Sequence, residues 1–328
     1  MHNIASHRPR RIAKRIACAA SGLALVLCMP VSAAPKVVAS LMPIQSLIAG
    51  VMGDAGTPAV IIQGYGSPHV YSLRPSEAAT LSHADIVFWI GRSMETFLQK
   101  PLSTLARKAQ VVALIDTEGL ILLPNREAGV WEVDYHGEQG SAVGSHAHAR
   151  TDPHIWLAPV NAKLLVDEIA KQLGKVDAAN ATTYRRNALE VSRRIDTLER
   201  DLRSQLQPVQ AIPYAVFHDS FQYFEHHFGL HAVGSLTLSP DRMAGARRLR
   251  ELRETIKERG ARCVFSEPQF KSALIKTVIE GTNARRGVLD PLGAGLRPGP
   301  GAYFEMMRAN AAALVDCLSE AKEVRSDS

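Results

Sequence analysis

Four side chains in this sequence carry the donor atoms of a metal site and fall where an α/β fold presents ligands: His69, His154, His218 and Asp290. His69 lies in the stretch from Gly64 to Glu77, after the apolar, β-branched run Pro58 to Gln63 and before the helix start Pro75 to Ser82. It therefore sits on a loop just past the C-terminal end of a strand. His218, in Phe217-His-Asp-Ser220, and Asp290, in Val288-Leu-Asp-Pro-Leu-Gly293, each directly follow a strand-like run. Open α/β sheets bind their ligands at that edge. Imidazole nitrogens completed by one carboxylate or a water suit tetrahedral Zn²⁺, whereas hard Mn²⁺ favours more carboxylate oxygens. Taken singly, each residue has a plainer reading: a surface or packed histidine at 69 and 218, and at Asp290 a cap or turn residue, because Asp-Pro commonly opens a turn. Their joint placement is what points to a single cation.

A metal-bound imidazole passes its other N–H to a carboxylate or carbonyl, which makes Asp152, Asp219 and Glu267 the candidate supports; the alternative for each is a surface salt bridge. His136, His146 and His148, in the polar, Gly-rich stretch 125–151, either gather metal loosely or decorate a plain flexible loop, while His226, His227 and His231 read as surface residues. No phosphate-binding Gly-x-x-x-x-Gly-Lys-Ser/Thr, no Gly-x-Gly-x-x-Gly after a strand and no His-Glu-x-x-His is present.

These side chains must be positioned by alternating strands and helices. Strand-like runs at Val37–Met42, Ala59–Ile62, Asp85–Ile90 and Val111–Ile115 are separated by helical segments at Pro43–Met52, Pro75–Ser82 and Met94–Arg107. After Asp152-Pro-His154 comes a helix from Pro159 to about Leu173. The alternation resumes beyond Pro208, with strands at Tyr214–Phe217, Leu230–Leu238, Arg262–Phe265 and Gly287–Leu289 and helices at Ser220–Phe228, Ala244–Arg259 and Ala273–Thr282. Between the halves, residues 177–206 contain neither Gly nor Pro, and Tyr184, Ala188, Val191, Ile195, Leu198 and Leu202 recur at helical spacing behind Asp177 as N-cap. Such a helix is about 45 Å long, enough to run along both lobes and resist hinge motion, the alternative being a long surface helix within one lobe. The fold class is thus α/β, with two similar lobes, each a mainly parallel four-stranded sheet with helices on both faces, joined by one long rigid helix. The lobes span 34–176 and 207–328, with 177–206 as the linking helix and 125–151 as a flexible loop of the first lobe.

Residues 1–33 have the form of a signal peptide: Arg8, Arg10, Arg11, Lys14 and Arg15, an apolar run from Ile16 to Met29, then Val31-Ser-Ala33, with cleavage expected after Ala33. Without this segment, which holds five of the 38 Lys and Arg and no Asp or Glu, the basic and acidic residues nearly balance at 33 against 32. A phosphate-tracking nucleic-acid surface is therefore not expected. No later apolar run has the length of a membrane span, so the mature chain is expected to be soluble. Processing leaves two of the four cysteines, Cys263 and Cys317, which in an exported protein suggests a disulfide, the alternative being two buried thiols.

Five ordered strings then carry a family resemblance: Ser67-Pro-His-Val-Tyr-Ser-Leu-Arg-Pro-Ser76; His154-Ile-Trp-Leu157; Val216-Phe-His-Asp219 with Tyr223-Phe-Glu225 and Phe228-Gly-Leu230; Cys263-Val-Phe-Ser-Glu-Pro-Gln-Phe270; and Leu289-Asp-Pro-Leu-Gly293. They resemble the zinc-specific solute-binding proteins of bacterial high-affinity zinc ABC importers, the ZnuA type, over almost the whole mature chain. The resemblance implies a monomeric periplasmic carrier that holds Zn²⁺ as cargo between its lobes and delivers it to an inner-membrane ABC permease. It carries ligand roles onto His69, His154 and His218 and places Asp290 at or beside the site. A histidine at 218, where manganese and iron relatives commonly have a carboxylate, favours zinc, and the Cys263–Cys317 pair fits a disulfide of zinc members. The loop before His154 is shorter and poorer in histidine than in many of them. The alternatives are a manganese/iron receptor or adhesin on the same scaffold, and a zinc-dependent hydrolase; lack of a metalloenzyme motif argues that the chain is not an enzyme.

Overall fold

A computed structural model of the chain describes residues 34–126, 129–131, 151–237, 245–270 and 273–319. Residues 1–33, expected to be a signal peptide, and His136, His146 and His148, from the stretch expected to be a flexible loop, lie outside the described residues.

The first half alternates as expected. Strand β1 (Val37–Leu41) runs straight into helix α1 (Met42–Met52), followed by β2 (Ala59–Ile62), α2 (Pro75–Ser82), β3 (Ile86–Trp89), α3 (Gln99–Thr104) and β4 (Gln110–Ala113). The four strands form one parallel sheet in the order β2-β1-β3-β4. Every residue of β1 and β3 is buried, as helices on both faces of a parallel sheet require. Helix α3 is shorter than the periodicity predicts because Pro101, lacking an N–H, cannot continue a helix begun at Met94. The chain instead takes a 3₁₀ turn at Thr96–Leu98 and restarts, with Pro101 in the first turn of α3.

A short strand β5 (Gly129–Val130) precedes α4 (Pro159–Val176) and the long helix α5 (Ala181–Leu206). The second half runs β6 (Tyr214–His218), α6 (Gln222–Phe228), β7 (Ala232–Thr237), α7 (Ala246–Glu258), β8 (Cys263–Ser266), α8 (Ala273–Ile279), β9 (Arg285–Val288) and α9 (Ala302–Leu318). Its sheet has the order β5-β7-β6-β8-β9. The part β7-β6-β8-β9 is parallel and repeats the strand order of the first sheet. The two-residue β5 comes from the stretch expected to be a flexible loop of the first half, and it adds an antiparallel edge to the second sheet.

The expected linking helix is present. Asp177 caps a 3₁₀ turn at Ala178–Asn180 and accepts a 2.7 Å bond from the Tyr184 hydroxyl, and α5 follows without a break. At about 1.5 Å per residue its 26 residues span roughly 39 Å. The side that carries Tyr184, Ala188, Val191, Ile195, Leu198, Leu202 and Leu206 is buried, each large side chain contributing about 2 kcal/mol of transfer free energy. Helix α5 packs on α1 and α4 from the first half and on α9 from the second, and α9 also touches α1. One apolar cluster consequently runs from Val37 to Leu318 through both halves, and a smaller one, including Ala215, Val233, Leu252 and Val264, belongs to the second half. Cys263 of β8 and Cys317 of α9 are joined by a disulfide across 54 residues, worth about 4 kcal/mol in the chain-entropy description. Among the described residues no helix is long and apolar enough to cross a membrane.

Candidate metal centre

Three of the four candidate ligands meet. His69, His154 and His218 each present a nitrogen, and the three nitrogens lie within 4.8 Å of one another. The rings are 5.8 Å (69–154), 5.3 Å (69–218) and 5.3 Å (154–218) apart between centroids. Three donors about 2.1 Å from one tetrahedral ion are about 3.4 Å apart, so ring shifts of under about 1 Å bring this group onto a common ion.

Each histidine reaches the centre from a different kind of element. His218 ends β6, and its Nδ1 lies 2.9 Å from Glu267 Oε1, which also accepts from the Ser220 hydroxyl at 2.6 Å. His218 Nε2 is buried without a hydrogen-bond partner, the state expected of a nitrogen reserved for another ligand. His154 closes the turn Asp152-Pro153-His154, in which Asp152 Oδ1 accepts both the His154 backbone N–H (2.9 Å) and faces its Nδ1 (2.7 Å). With Nδ1 of both rings committed to carboxylates, Nε2 is the nitrogen each offers the centre. His69 sits on the loop after β2; Tyr71 donates to Glu77 at 2.7 Å and the Arg74 N–H does so at 2.7 Å, which ties the far end of this loop to the first turn of α2.

Electrostatics separate the two buried rings. Burial, then the neighbouring His218, pushes His154 down to about 3, so this imidazole is neutral. Burial also pulls His218 down, but the charge and hydrogen bond of Glu267, with Asp219 and Asp152 behind it, outweigh it and leave the pKa raised. Burial lifts Asp152 to about 7, against the His154 backbone bond and the charges of Arg126 and His218.

Asp290 is not in the three-histidine group among the described residues. Its Oδ1 accepts from the N–H of Leu292 (3.0 Å) and Gly293 (2.9 Å) and from Gln269 (3.2 Å), and its Oδ2 accepts from the N–H of Ala294 at 2.6 Å. Asn310 holds its backbone on both sides. The carboxylate thus closes the turn after β9, the Asp-Pro role open in the sequence. Gly293, at φ 67°, completes that turn where a side chain would collide with Met42.

Two of the three expected supporting carboxylates, Asp152 and Glu267, hold histidines; the third, Asp219, does not. It is bound by Arg126, whose Nε donates to Asp219 Oδ2 at 3.0 Å and whose Nη2 reaches Oδ1 and, at 2.8 Å, Glu225 Oε2. Arg126 carries no motif and lies 93 residues from Asp219, so no local pattern marks the pair. Of the histidines expected at the surface, His226 is exposed, but His227 is half-buried with its Nε2 2.9 Å from Glu199, and the Nε2 of half-buried His231 is enclosed.

Comparison with known proteins adds a second line. The family model described as the periplasmic component A of a zinc-uptake complex, ZnuA, matches residues 37–317. The chain belongs to this family. The ZnuA of Brucella suis is 46% identical over 306 residues, covering 87% of this chain and 92% of that protein, and the ZnuA of Yersinia pestis is 36% identical over 310 residues, 90% and 95% respectively; both are high-affinity zinc uptake system proteins. Among solved structures, a ZnuA crystal structure superposes with a TM-score of 0.73 at 25% identity, covering 87% of this chain and all of that one. A manganese-bound periplasmic protein of Candidatus Liberibacter asiaticus shares the fold at a TM-score of 0.69 and 22% identity. ZnuA proteins are periplasmic metal-binding components of zinc uptake and not enzymes, as the missing metalloenzyme motifs lead one to expect.

Proposed function

We propose that this ZnuA-family chain captures one Zn²⁺ between His69, His154 and His218 and hands it, as cargo, to an inner-membrane ABC permease after export to the periplasm and removal of residues 1–33. The carrying observation is the convergence of three imidazoles, two with Nδ1 committed to a buried carboxylate and His218 Nε2 left without a partner. An all-nitrogen set favours Zn²⁺ over Mn²⁺. A water is the fourth donor in this reading, because Asp290 lies outside the three-histidine group and is engaged by three backbone N–H groups of its own turn. The protein works as a monomer, with lobes at 34–176 and 207–328 placed on either side of the rod 177–206.

Elemental analysis of protein purified from the periplasm without added metal tests this reading directly. About one zinc per chain is expected, with none in His154→Ala. Displacement of that zinc by an equal concentration of Mn²⁺ would instead make the chain a manganese receptor, and ester or peptide hydrolysis lost in His154→Ala would make it an enzyme. For delivery, a strain whose zinc importer lacks this chain should regain growth in zinc-poor medium with the wild type and not with His218→Ala.

A further inference from the structure

Arg126 stands at the junction of two hydrogen-bond chains that end on the turns carrying His218 and His154. On one side its guanidinium holds both oxygens of Asp219, the residue directly after His218, and one oxygen of Glu225. The other Glu225 oxygen accepts from the Tyr214 hydroxyl at 3.1 Å, and the guanidinium lies 3.6 Å from the ring centre of Trp131. On the other side, Leu123, three residues earlier, donates its N–H to the Tyr223 hydroxyl (3.0 Å), which donates to the Asp152 carbonyl (2.9 Å); the Asp152 N–H returns to the Leu123 carbonyl (2.9 Å). Asp152 is the carboxylate that orients His154.

Two influences of such a group on a bound cation have opposite signs. As a positive charge, Arg126 repels Zn²⁺, so loss of the charge alone tightens binding. As a rigid fork, it fixes the turn that aims His218, so loss of the fork loosens binding; a planar bidentate pair has a geometry that an ammonium cannot reproduce. Metal affinity is sensitive to the groups behind the ligands, by about 10–100-fold. The guanidinium is also inserted between Asp219, Glu225 and Trp131, so it cannot shift without moving all three.

We propose that Arg126 is a positioning residue of the metal site: its two-point hold on Asp219 fixes the orientation of His218 and sets how slowly zinc leaves. The proposal rests on the zinc reading above. Zinc release from the loaded, exported protein into excess chelator should be about tenfold faster in both Arg126→Lys, which keeps the charge, and Arg126→Gln, which does not. An unchanged rate in Arg126→Lys, or slower release in Arg126→Gln, overturns it, as does a fall in thermal stability of the zinc-free protein with release unaltered. If Arg126→Gln does not fold, Arg126→Lys decides alone. Wild-type protein that takes up no zinc would strike the zinc reading itself, a result distinct from variants that bind zinc and release it at the wild-type rate.

Discussion

The three imidazoles fall into two regions of unlike construction. His154 and His218 are 4% and 2% exposed, and each faces a buried carboxylate through Nδ1. His69 is half-buried on a loop whose neighbouring Tyr65 and Val70 are 66% and 56% exposed. One side of the centre is therefore set before any ion arrives, by groups within the fold, while the other is carried on a surface loop. The difference teaches where a three-histidine site of this kind is fixed by the fold and where it depends on a loop: two rings are aimed by buried carboxylates, and the third is carried on a segment with exposed neighbours.

The strongest way to break this contrast is to remove ligands one at a time. His218→Ala and His154→Ala should each weaken zinc binding by about 100-fold or more, and His69→Ala by at least about tenfold, in competition with a chromophoric chelator. Equal losses at all three positions would erase the distinction. Next come the supports: Asp152→Ala and Glu267→Ala should cost about 10–100-fold with both rings still present. An affinity unchanged in either would mean the carboxylate does not aim its ring.

Acidity sharpens the contrast further. His218, its pKa raised, holds a proton in the zinc-free protein below that value, and zinc must displace it. His154, held neutral down to about 3, has no proton to lose. Affinity should thus fall by up to about tenfold per pH unit as the pH drops below the raised pKa of His218, with about one proton released per zinc. Calorimetry in buffers of different ionisation enthalpy counts that proton, and release of none below the raised pKa would mean that His218 carries no proton for zinc to displace. The smallest effect is expected at Asp290: Asp290→Asn should leave zinc affinity within about threefold while destabilising the fold by about 1–3 kcal/mol through the N–H groups it leaves poorly paired.

Much of the framework was legible because buried strands of β-branched residues and the Gly- and Pro-free run before Leu206 announce themselves locally. The limits of α2 agree to the residue because Pro75 at its start and Glu77, bonding back to Arg74, are written in the chain. Strand β5 was not legible: two residues in a polar, Gly-rich stretch have no periodicity, and their partners Gly234 and Ser235 lie about a hundred positions on. At the site, the loop after one strand and the end of another marked His69 and His218, and metal-ligand logic marked Asp152 and Glu267 as carboxylates that face histidines. For Asp219 the salt-bridge alternative is the one the structure takes, with a partner 93 residues away that no local pattern marks, and Asp290 was left between ligand and turn because the backbone N–H groups that close on it are invisible in the sequence.

The continuous apolar packing of α1, α5 and α9 bears on how the ion gets out. A flytrap motion would tear Leu198 and Leu202 of the rod from a core shared by both halves. On the proposed carrier role, the shared core argues against a large relative movement of the two halves, and loaded and empty protein should have the same radius of gyration in X-ray scattering. A permease that receives the ion would need to recognise an altered loop rather than an altered silhouette.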